Sequence, residues 1–166
     1  NESYIYQGDD KNYYENLQLK ISLGNLISVT SGKSIKVNQL TSNGLYPVYG
    51  GNGIIGKCNN FLVGPNTIVI GRVGAKCGCV HKTTTNSFIS DNALIVTLQT
   101  KQILVDYLIV ALKSINFTNL ISSTAQPLVS GKLIYPIEIP IFSINRQNKI
   151  LVRLNKIFNQ LDFINN

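Results

Sequence analysis

The sequence comprises 166 residues, of which 44% are hydrophobic, and carries a net charge of +7. This size and apolar content suffice for one domain with a buried core, and neither a membrane-spanning run nor a secretion signal is present. Three cysteines, an odd number, do not predict a disulfide framework. We therefore expect a soluble, cytoplasmic protein. The absence of methionine, including at the first position, predicts a piece of a longer chain.

In chain order, residues 1–22 are polar and tyrosine-rich and read as a lead-in segment without firm periodicity. From Leu23 to Leu98, short apolar stretches cut by glycine, asparagine and proline predict strands and turns. The predicted strands are Tyr46 to Tyr49, Thr67 to Gly71, Gly78 to Lys82 and Ala93 to Leu98. Three glycines after Tyr49 suit a tight reversal, so Tyr46 to Lys57 is predicted to be a hairpin.

The periodicity becomes helical after the last of these strands. Apolar residues at three- and four-residue spacing predict a helix from about Ile103 to Ser114. Prolines exclude a long helix in residues 117–142, where Ile137 to Ile139 is predicted to form an edge strand. Residues 143–166 are predicted to be helical, with Ser143 as the cap. The apolar stripe of this helix consists of Ile150, Leu154, Ile157, Phe158 and Leu161.

These elements predict an α+β fold with one mainly antiparallel, twisted sheet, a main domain over residues 23–142 and a protruding C-terminal helix over residues 143–166. Most amphipathic helices pack back on their own domain. This one follows a proline-rich exit at the end of the chain, which favours pairing with another helix of the parent protein.

The positive charge is unevenly distributed. No acidic residue occurs between Asn16 and Ser90, and the basic residues of this stretch are Lys20, Lys33, Lys36, Lys57, Arg72, Lys76 and Lys82. A local positive field favours a polyanion such as nucleic acid. Lysines that merely keep an apolar domain soluble are the alternative. A membrane surface fits less well, because glycines interrupt the basic stretch where an amphipathic helix would be needed.

One glycine motif matches the spacing of a dinucleotide-binding fingerprint: Gly51-Asn52-Gly53-Ile54-Ile55-Gly56. That fingerprint requires a helix directly after it and an acidic residue about twenty positions later. Here Lys57 and Cys58 make a poor helix start, and the next acidic residue is Asp91. A glycine hairpin is therefore favoured over a nucleotide site.

A metal site is considered at Cys77, Cys79 and His81, with Cys58 as a fourth ligand. Structural zinc sites usually draw ligand pairs from turns, whereas adjacent positions on one face of a strand converge poorly on a tetrahedral ion. We therefore predict no metal, and small cysteines buried in the core.

Few residues are available for catalysis. His81 is the only histidine, and the acidic residues after Glu15 are Asp91, Asp106, Glu138 and Asp162. Ser90-Asp91-Asn92 fits a turn before a strand better than an acid–base pair. The sequence also lacks a nuclease metal cluster and an adenine-methylation motif of the asparagine-proline-proline-aromatic type. We predict that the chain is not catalytic by itself.

Two loops carry the chemistry expected of DNA contacts: Thr30 to Asn43 and Arg72 to Asn86. Arginine and lysine pair with guanine, asparagine and glutamine with adenine, and hydroxyl groups with phosphates or bases. Each residue taken singly is also an ordinary loop residue, so the prediction depends on their joint density. The predicted DNA contacts are Lys33, Lys36, Asn52, Lys57, Arg72, Lys76, Lys82 and Thr84.

The order of the motifs matches a known family. The motifs are Leu23-Gly24-Asn25-Leu26, Thr30-Ser31-Gly32-Lys33, Tyr46-Pro47-Val48-Tyr49-Gly50-Gly51, Ile70-Gly71-Arg72-Val73-Gly74-Ala75-Lys76, Ser90-Asp91-Asn92-Ala93, Thr124-Ala125-Gln126-Pro127, Ser130-Gly131-Lys132-Leu133 and Ile137-Glu138-Ile139-Pro140. Over residues 23–166 the chain resembles the target recognition domain of type I restriction-modification specificity subunits. It departs from the family after Pro140, where a double proline and an acidic pair are usual and this chain has Phe142-Ser143 and Asn145-Arg146.

The resemblance implies that residues 23–142 form a target recognition domain, which reads one half of a split site in double-stranded DNA. A separate adenine methyltransferase would flip the base and use S-adenosylmethionine, and a nuclease subunit would cleave unmethylated DNA. The chain itself would need no cofactor. In the family the C-terminal helix belongs to a spacer that pairs with another helix, and the Cys-Gly pair after Gly-Ala-Lys occurs without metal.

Two alternatives stay open. The first is that the segment is the C-terminal recognition domain of a single-chain methyltransferase-endonuclease, which methylase motifs upstream of Asn1 would reveal. The second is a basic protein-interaction module, against which salt-dependent binding to duplex DNA would argue.

Overall fold

The computed structural model describes residues 19–74, 77–120 and 128–164, apart from the side chains of Thr118 and residues 162–164. The strands are β1 (Leu19–Ser22), β2 (Ile27–Ser31), β3 (Tyr46–Gly50), β4 (Gly53–Cys58), β5 (Ile68–Gly71), β6 (Val80–Lys82), β7 (Phe88–Ile89), β8 (Ala93–Leu98) and β9 (Glu138–Ile141). The α-helices are α1 (Val105–Ser114), α2 (Gly131–Ile134) and α3 (Ile144–Ile164), and short 3-10 turns lie at Leu23–Asn25, Val37–Gln39 and Phe117–Leu120.

The α+β class is confirmed, with the strands divided among three sheets where the sequence predicted one. A four-stranded antiparallel sheet has the order β2-β8-β5-β6, and a two-stranded antiparallel sheet joins β1 to β9. The third sheet has the order β4-β3-β7, with an antiparallel pair β3–β4 and a parallel pair β3–β7. β1 comes from the end of the predicted lead-in segment, and residues 1–18 of that segment lie outside the described residues.

The predicted elements of the middle of the chain are confirmed within one or two residues at their ends. β8 spans Ala93–Leu98 as predicted, and the predicted hairpin is the β3–β4 pair, with Gly51 and Asn52 as its turn. The predicted edge strand is β9, which accepts a proline because its only strand partner in the described residues is β1.

The four-stranded sheet lies between two apolar clusters, because successive side chains of a strand point to opposite faces. On β5, Ile68 and Ile70 belong to the main core, which α1 covers with Leu108 and Leu112. Val69, between them, belongs to a second cluster shared with the three-stranded sheet. Burial on both faces explains why β5 is a continuous apolar run.

The C-terminal helix α3 begins on the domain and leaves it. The backbone amide of Arg146 donates to the Ser143 hydroxyl (3.3 Å), which confirms the predicted cap. Gln147 is fully buried, accepts a hydrogen bond from the Leu104 amide and donates to the carbonyls of Gln102 and Phe142, all at 2.8 Å. Further along, Ile157 and Phe158 are 51% and 57% exposed. Within the described part of the chain, no helix is both long and apolar enough to cross a membrane.

Candidate DNA interface

The tip of the β3–β4 hairpin packs against the turn that follows β5. A Cβ atom at Gly51 would lie 2.6 Å from the carbonyl oxygen of Val73, so only glycine fits this approach. Gly53 has φ +103°, a left-handed conformation that glycine adopts without strain. Asn52, between these two glycines, is exposed at the tip. The glycine motif therefore holds an asparagine at the surface, and the predicted hairpin is confirmed in place of a nucleotide site.

Arg72 is the centre of this surface. Its Nη1 atom donates to the Ser31 hydroxyl (3.2 Å) and to the Asp91 carbonyl (3.4 Å), and its backbone amide donates to the Asn92 carbonyl (2.9 Å). The three predicted turn residues Ser90, Asp91 and Asn92 do form a turn, in which the Asn92 amide donates to the Ser90 hydroxyl (3.4 Å). The Arg72 guanidinium group thus joins the turn after β5 to β2 and to the turn before β8.

Lys33 joins the same region through its backbone. Its amide donates to the Ile89 carbonyl (2.9 Å), and a Cβ at the preceding Gly32 would lie 2.2 Å from the Ser90 carbonyl oxygen. The Lys33 side chain is exposed. We define the Arg72 surface as Ser31, Lys33, Asn52, Arg72, Asp91 and Asn92. It combines cations, amides, a hydroxyl and a carboxylate, the groups that read base edges and phosphates.

Two more predicted residues are Lys36, which precedes the 3-10 turn Val37–Gln39, and Lys57, which lies on β4. The backbone amide of Lys36 closes this turn by donating to Gln39 Oε1 (2.9 Å). Thr41 then donates its amide to the Lys57 carbonyl (2.9 Å), which ties the segment to β4. Both lysine side chains are exposed. The first predicted loop therefore runs from the Arg72 surface to the far end of the hairpin.

The second predicted loop, Arg72 to Asn86, contains strand β6, so its two ends lie at opposite ends of the β5–β6 pair. Lys82 forms an ion pair with Asp106 of α1 (2.5 Å). Thr84 is exposed at the opposite end of the β5–β6 pair from Arg72, next to Thr83, whose buried hydroxyl donates to the Gly64 carbonyl (2.8 Å). Lys76 lies outside the described residues. Contact of each of these residues with DNA stays a prediction.

His81 lies where the hairpin meets the four-stranded sheet. Its ring is the nearest group to a Cβ placed at Gly53 (3.4 Å), and its buried Nε2 atom has no hydrogen-bond partner. Burial, and secondarily the charge of Lys113, lower the pKa of His81 below its ordinary value of 6.5. The imidazole is therefore neutral at pH 7 and contributes no positive charge to a phosphate.

The prediction that the cysteines are buried is confirmed for two of the three. Cys58 and Cys77 are buried, and Cys79 is half-buried. The Cys58 thiol donates to the Asn60 carbonyl (3.0 Å), a bond local to the end of β4. In the ranges that the structure describes, no group of three histidine, cysteine or acidic side chains is placed to hold a metal ion.

Sequence reasoning missed an apolar patch beside these polar groups. Ile54 and Ile55 are consecutive residues of β4, and they are 61% and 48% exposed. Val37, in the 3-10 turn, is 85% exposed. Apolar residues after a glycine turn read as ordinary core positions of a strand, and no sequence signal marks them as exposed.

Comparison with known proteins identifies the family of this chain. Residues 15–166 match the family model of the type I restriction modification DNA specificity domain. The chain is 29% identical over 140 residues to the type I restriction enzyme EcoprrI specificity subunit of Escherichia coli, covering 81% of this chain and 34% of that protein. It therefore spans about a third of the length of this curated relative.

Solved structures share the fold. The S subunit of a type I restriction-modification system from M. genitalium superimposes with a TM-score of 0.77 at 23% identity, over 88% of this chain and 40% of that one. HsdS from Thermoanaerobacter tengcongensis gives 0.61 at 14% identity, over 87% and 38%. A chain from a structure of type I R-M complex assembly and conformational transition gives 0.70 at 16% identity, over 89% and 40%. Given the family match over almost its whole length, the chain belongs to the type I restriction modification DNA specificity domain family.

Proposed function

We propose that this domain recognises one half of a split target sequence in double-stranded DNA, and that the Arg72 surface carries the recognition. The main support is convergence: β2, the hairpin tip, the turn after β5 and the turn before β8 all contribute to one small area around Arg72. Phosphate contacts would position the domain, and base contacts would specify the sequence.

Each side chain of the Arg72 surface has a suitable partner on DNA. Arginine and lysine pair with guanine O6 and N7, and asparagine pairs with adenine N6 and N7. The exposed Asp91 carboxylate is an acceptor for the amino group of cytosine. Lys36 and Lys57 extend the positive charge along the hairpin and suit phosphates. Lys82, already paired with Asp106, would have to exchange this partner for a phosphate.

We propose a division of labour for the whole assembly. The matched family is a specificity domain and not a catalytic one, so methylation and cleavage are assigned to partners. An adenine methyltransferase subunit would supply S-adenosylmethionine, and a restriction nuclease subunit would cleave, both acting with this domain on DNA in the cytoplasm.

The outer half of α3 is proposed to pair with another helix. Val152, Ile157, Phe158 and Leu161 are 48–57% exposed there, while the first turns are fixed to the domain by Gln147. In the parent protein, Ile157→Asp should lower the melting temperature, because a charge would enter the paired helices. In the isolated domain the same variant should stay folded, because Ile157 has little packing to lose there. An unchanged melting temperature of the parent protein would contradict the pairing.

The recognition proposal is tested by binding the chain to a randomised duplex library at low and moderate salt, followed by sequencing of the retained DNA. We expect enrichment of one short motif for the wild type. Arg72→Gln should relax the motif, whereas the matched control Arg153→Gln, an exposed arginine on α3, should keep it. Retention without a motif would contradict sequence recognition and leave only a basic surface.

A further inference from the structure

Strand β4 exposes two isoleucines in a row, which a regular strand does not do, because successive side chains point to opposite faces. The register shows the cause. Val48 of β3 pairs with Gly56 and Tyr49 pairs with Ile54, so Ile55 has no partner in the ladder. This is a β-bulge, which re-aims side chains locally. A Cβ at Gly50 would lie only 2.7 Å from Ile55, so this glycine leaves room for the bulged side chain.

Val37 belongs to the same neighbourhood. Leu40 lies 3.4 Å from a Cβ placed at Gly56, so the 3-10 turn packs against β4. Val37 begins this turn, three residues before Leu40, and we group it with β4 on that basis. We define the β4 patch as Val37, Ile54 and Ile55. Its members are 48–85% exposed.

The surroundings of the β4 patch are cationic and polar. Asn52 precedes it at the hairpin tip, Lys57 follows it on β4, and Lys36 adjoins Val37; all three side chains are exposed. No acidic residue occurs anywhere between Asn16 and Ser90. A surface of β-branched side chains among two lysines and an amide is complementary in charge to DNA.

DNA offers one apolar group on a base edge in the major groove, the C5-methyl group of thymine. The groove is wide enough for a two-stranded β-ribbon, and β4 with β3 forms the outer pair of strands of the three-stranded sheet. We propose that Ile54, Ile55 and Val37 contact thymine methyl groups and thereby select thymine at one or more positions of the half-site. This inference rests on the proposed recognition of duplex DNA and adds that the thymine methyl group is one of the features recognised.

The test removes only the methyl group. In the duplex selected from the library, each thymine is replaced in turn by deoxyuridine, and the affinity of the full chain is measured. We expect at least one replacement to weaken binding about fourfold, the effect of losing one buried methyl group. Ile54→Ser, Ile55→Ser or Val37→Ser should remove that difference for the position concerned. Leu19→Ser, a comparably exposed apolar residue on β1, should preserve it.

The outcomes are distinct from those of the proposed function. Sequence-specific binding with equal affinity for thymine and deoxyuridine at every position overturns this inference and leaves recognition intact, as does a motif composed only of G·C pairs. A thymine preference that persists in all three serine variants also overturns it. If these variants lose assembly with the methyltransferase subunit while their thymine preference is unchanged, the β4 patch is a protein contact. The absence of any sequence-specific binding removes the proposed function and this inference together.

Discussion

Strands β5 and β4, which belong to different sheets, use isoleucine in opposite ways. Ile68 and Ile70 of β5 are 1% and 0% exposed, whereas Ile54 and Ile55 of β4 are 61% and 48% exposed. β5 lies between two neighbouring strands and two apolar clusters, while β4 is flanked by β3 and touched at one end by Thr41. β5 is therefore part of the scaffold, whereas β4 exposes its isoleucines at the surface. A similar contrast holds within α3, between its first turns, which the buried Gln147 anchors to the domain, and its exposed end.

The largest effect is expected at the scaffold. Ile70→Ala removes a fully buried side chain and leaves a cavity, so the free energy of unfolding should fall by about 2–5 kcal/mol. Ile54→Ala should change it by less than about 0.5 kcal/mol, as is usual for surface substitutions. Urea unfolding of both variants measures the difference. Similar losses would show that β4 is part of the core.

The next effect concerns the two halves of α3. Gln147→Ala should cost about 1–3 kcal/mol, because the Leu104 amide and two carbonyls lose their buried partner. Ile157→Ala, in the exposed half, should be close to neutral in the same unfolding experiment. Equal costs would mean that the whole helix packs on the domain.

At the Arg72 surface the expected loss is in binding. Arg72→Ala removes a guanidinium group suited to guanine or phosphate, and we expect affinity for the selected duplex to fall by about 1–3 kcal/mol. Its loss of folding stability should be smaller than its loss of affinity, since its side-chain bonds to Ser31 and Asp91 are partly exposed. Parallel titration and urea unfolding separate the two quantities. Loss of stability alone would make Arg72 a structural residue.

A smaller and different effect is expected at Lys57. Lys57→Ala should weaken binding to all duplexes alike and lower the slope of log affinity against log salt by about one, as for the loss of one phosphate contact. Lys101→Ala is the control, an exposed lysine outside the predicted DNA-binding residues. A change in the selected motif would instead assign Lys57 to base reading.

The most subtle effect is at His81, between the two sheets. Its lowered pKa means that, below 6.5, the unfolded chain binds protons more readily than the folded one. Its contribution to stability is therefore fully present above pH 6.5 and declines as pH falls through the folded pKa. Unfolding in urea near pH 7.5 and near pH 5.5 should show this decline in the wild type and a weaker one in His81→Asn. Equal declines would assign the pH dependence to other groups.

The sequence predicted what depends on local pattern. Alternation and glycine placement gave the strands and the hairpin, three- and four-residue spacing gave α1, and the serine cap gave the start of α3. It did not predict the division into three sheets, because β1 and β9 are paired across most of the chain. The β4 bulge escaped prediction for a related reason, since it depends on the register between two strands.

The candidate site shows the same limit. Composition identified Lys33, Asn52 and Arg72, which the structure brings together around the turn at Asp91. It also grouped Arg72 with Thr84, which lie at opposite ends of the β5–β6 pair, because a strand separates them. Charge density along the sequence thus indicates that a basic surface exists, but not which of the predicted residues lie together on it.

Sequence recognition is tested most directly by comparing the affinity of the wild-type chain for its selected duplex with its affinity for a duplex of the same bases in shuffled order, at low and moderate salt. We predict that the selected duplex binds at least about tenfold more tightly, with the preference retained as salt weakens both. Equal affinities that fall together with salt would contradict sequence recognition and reduce the Arg72 surface to a general site for phosphates.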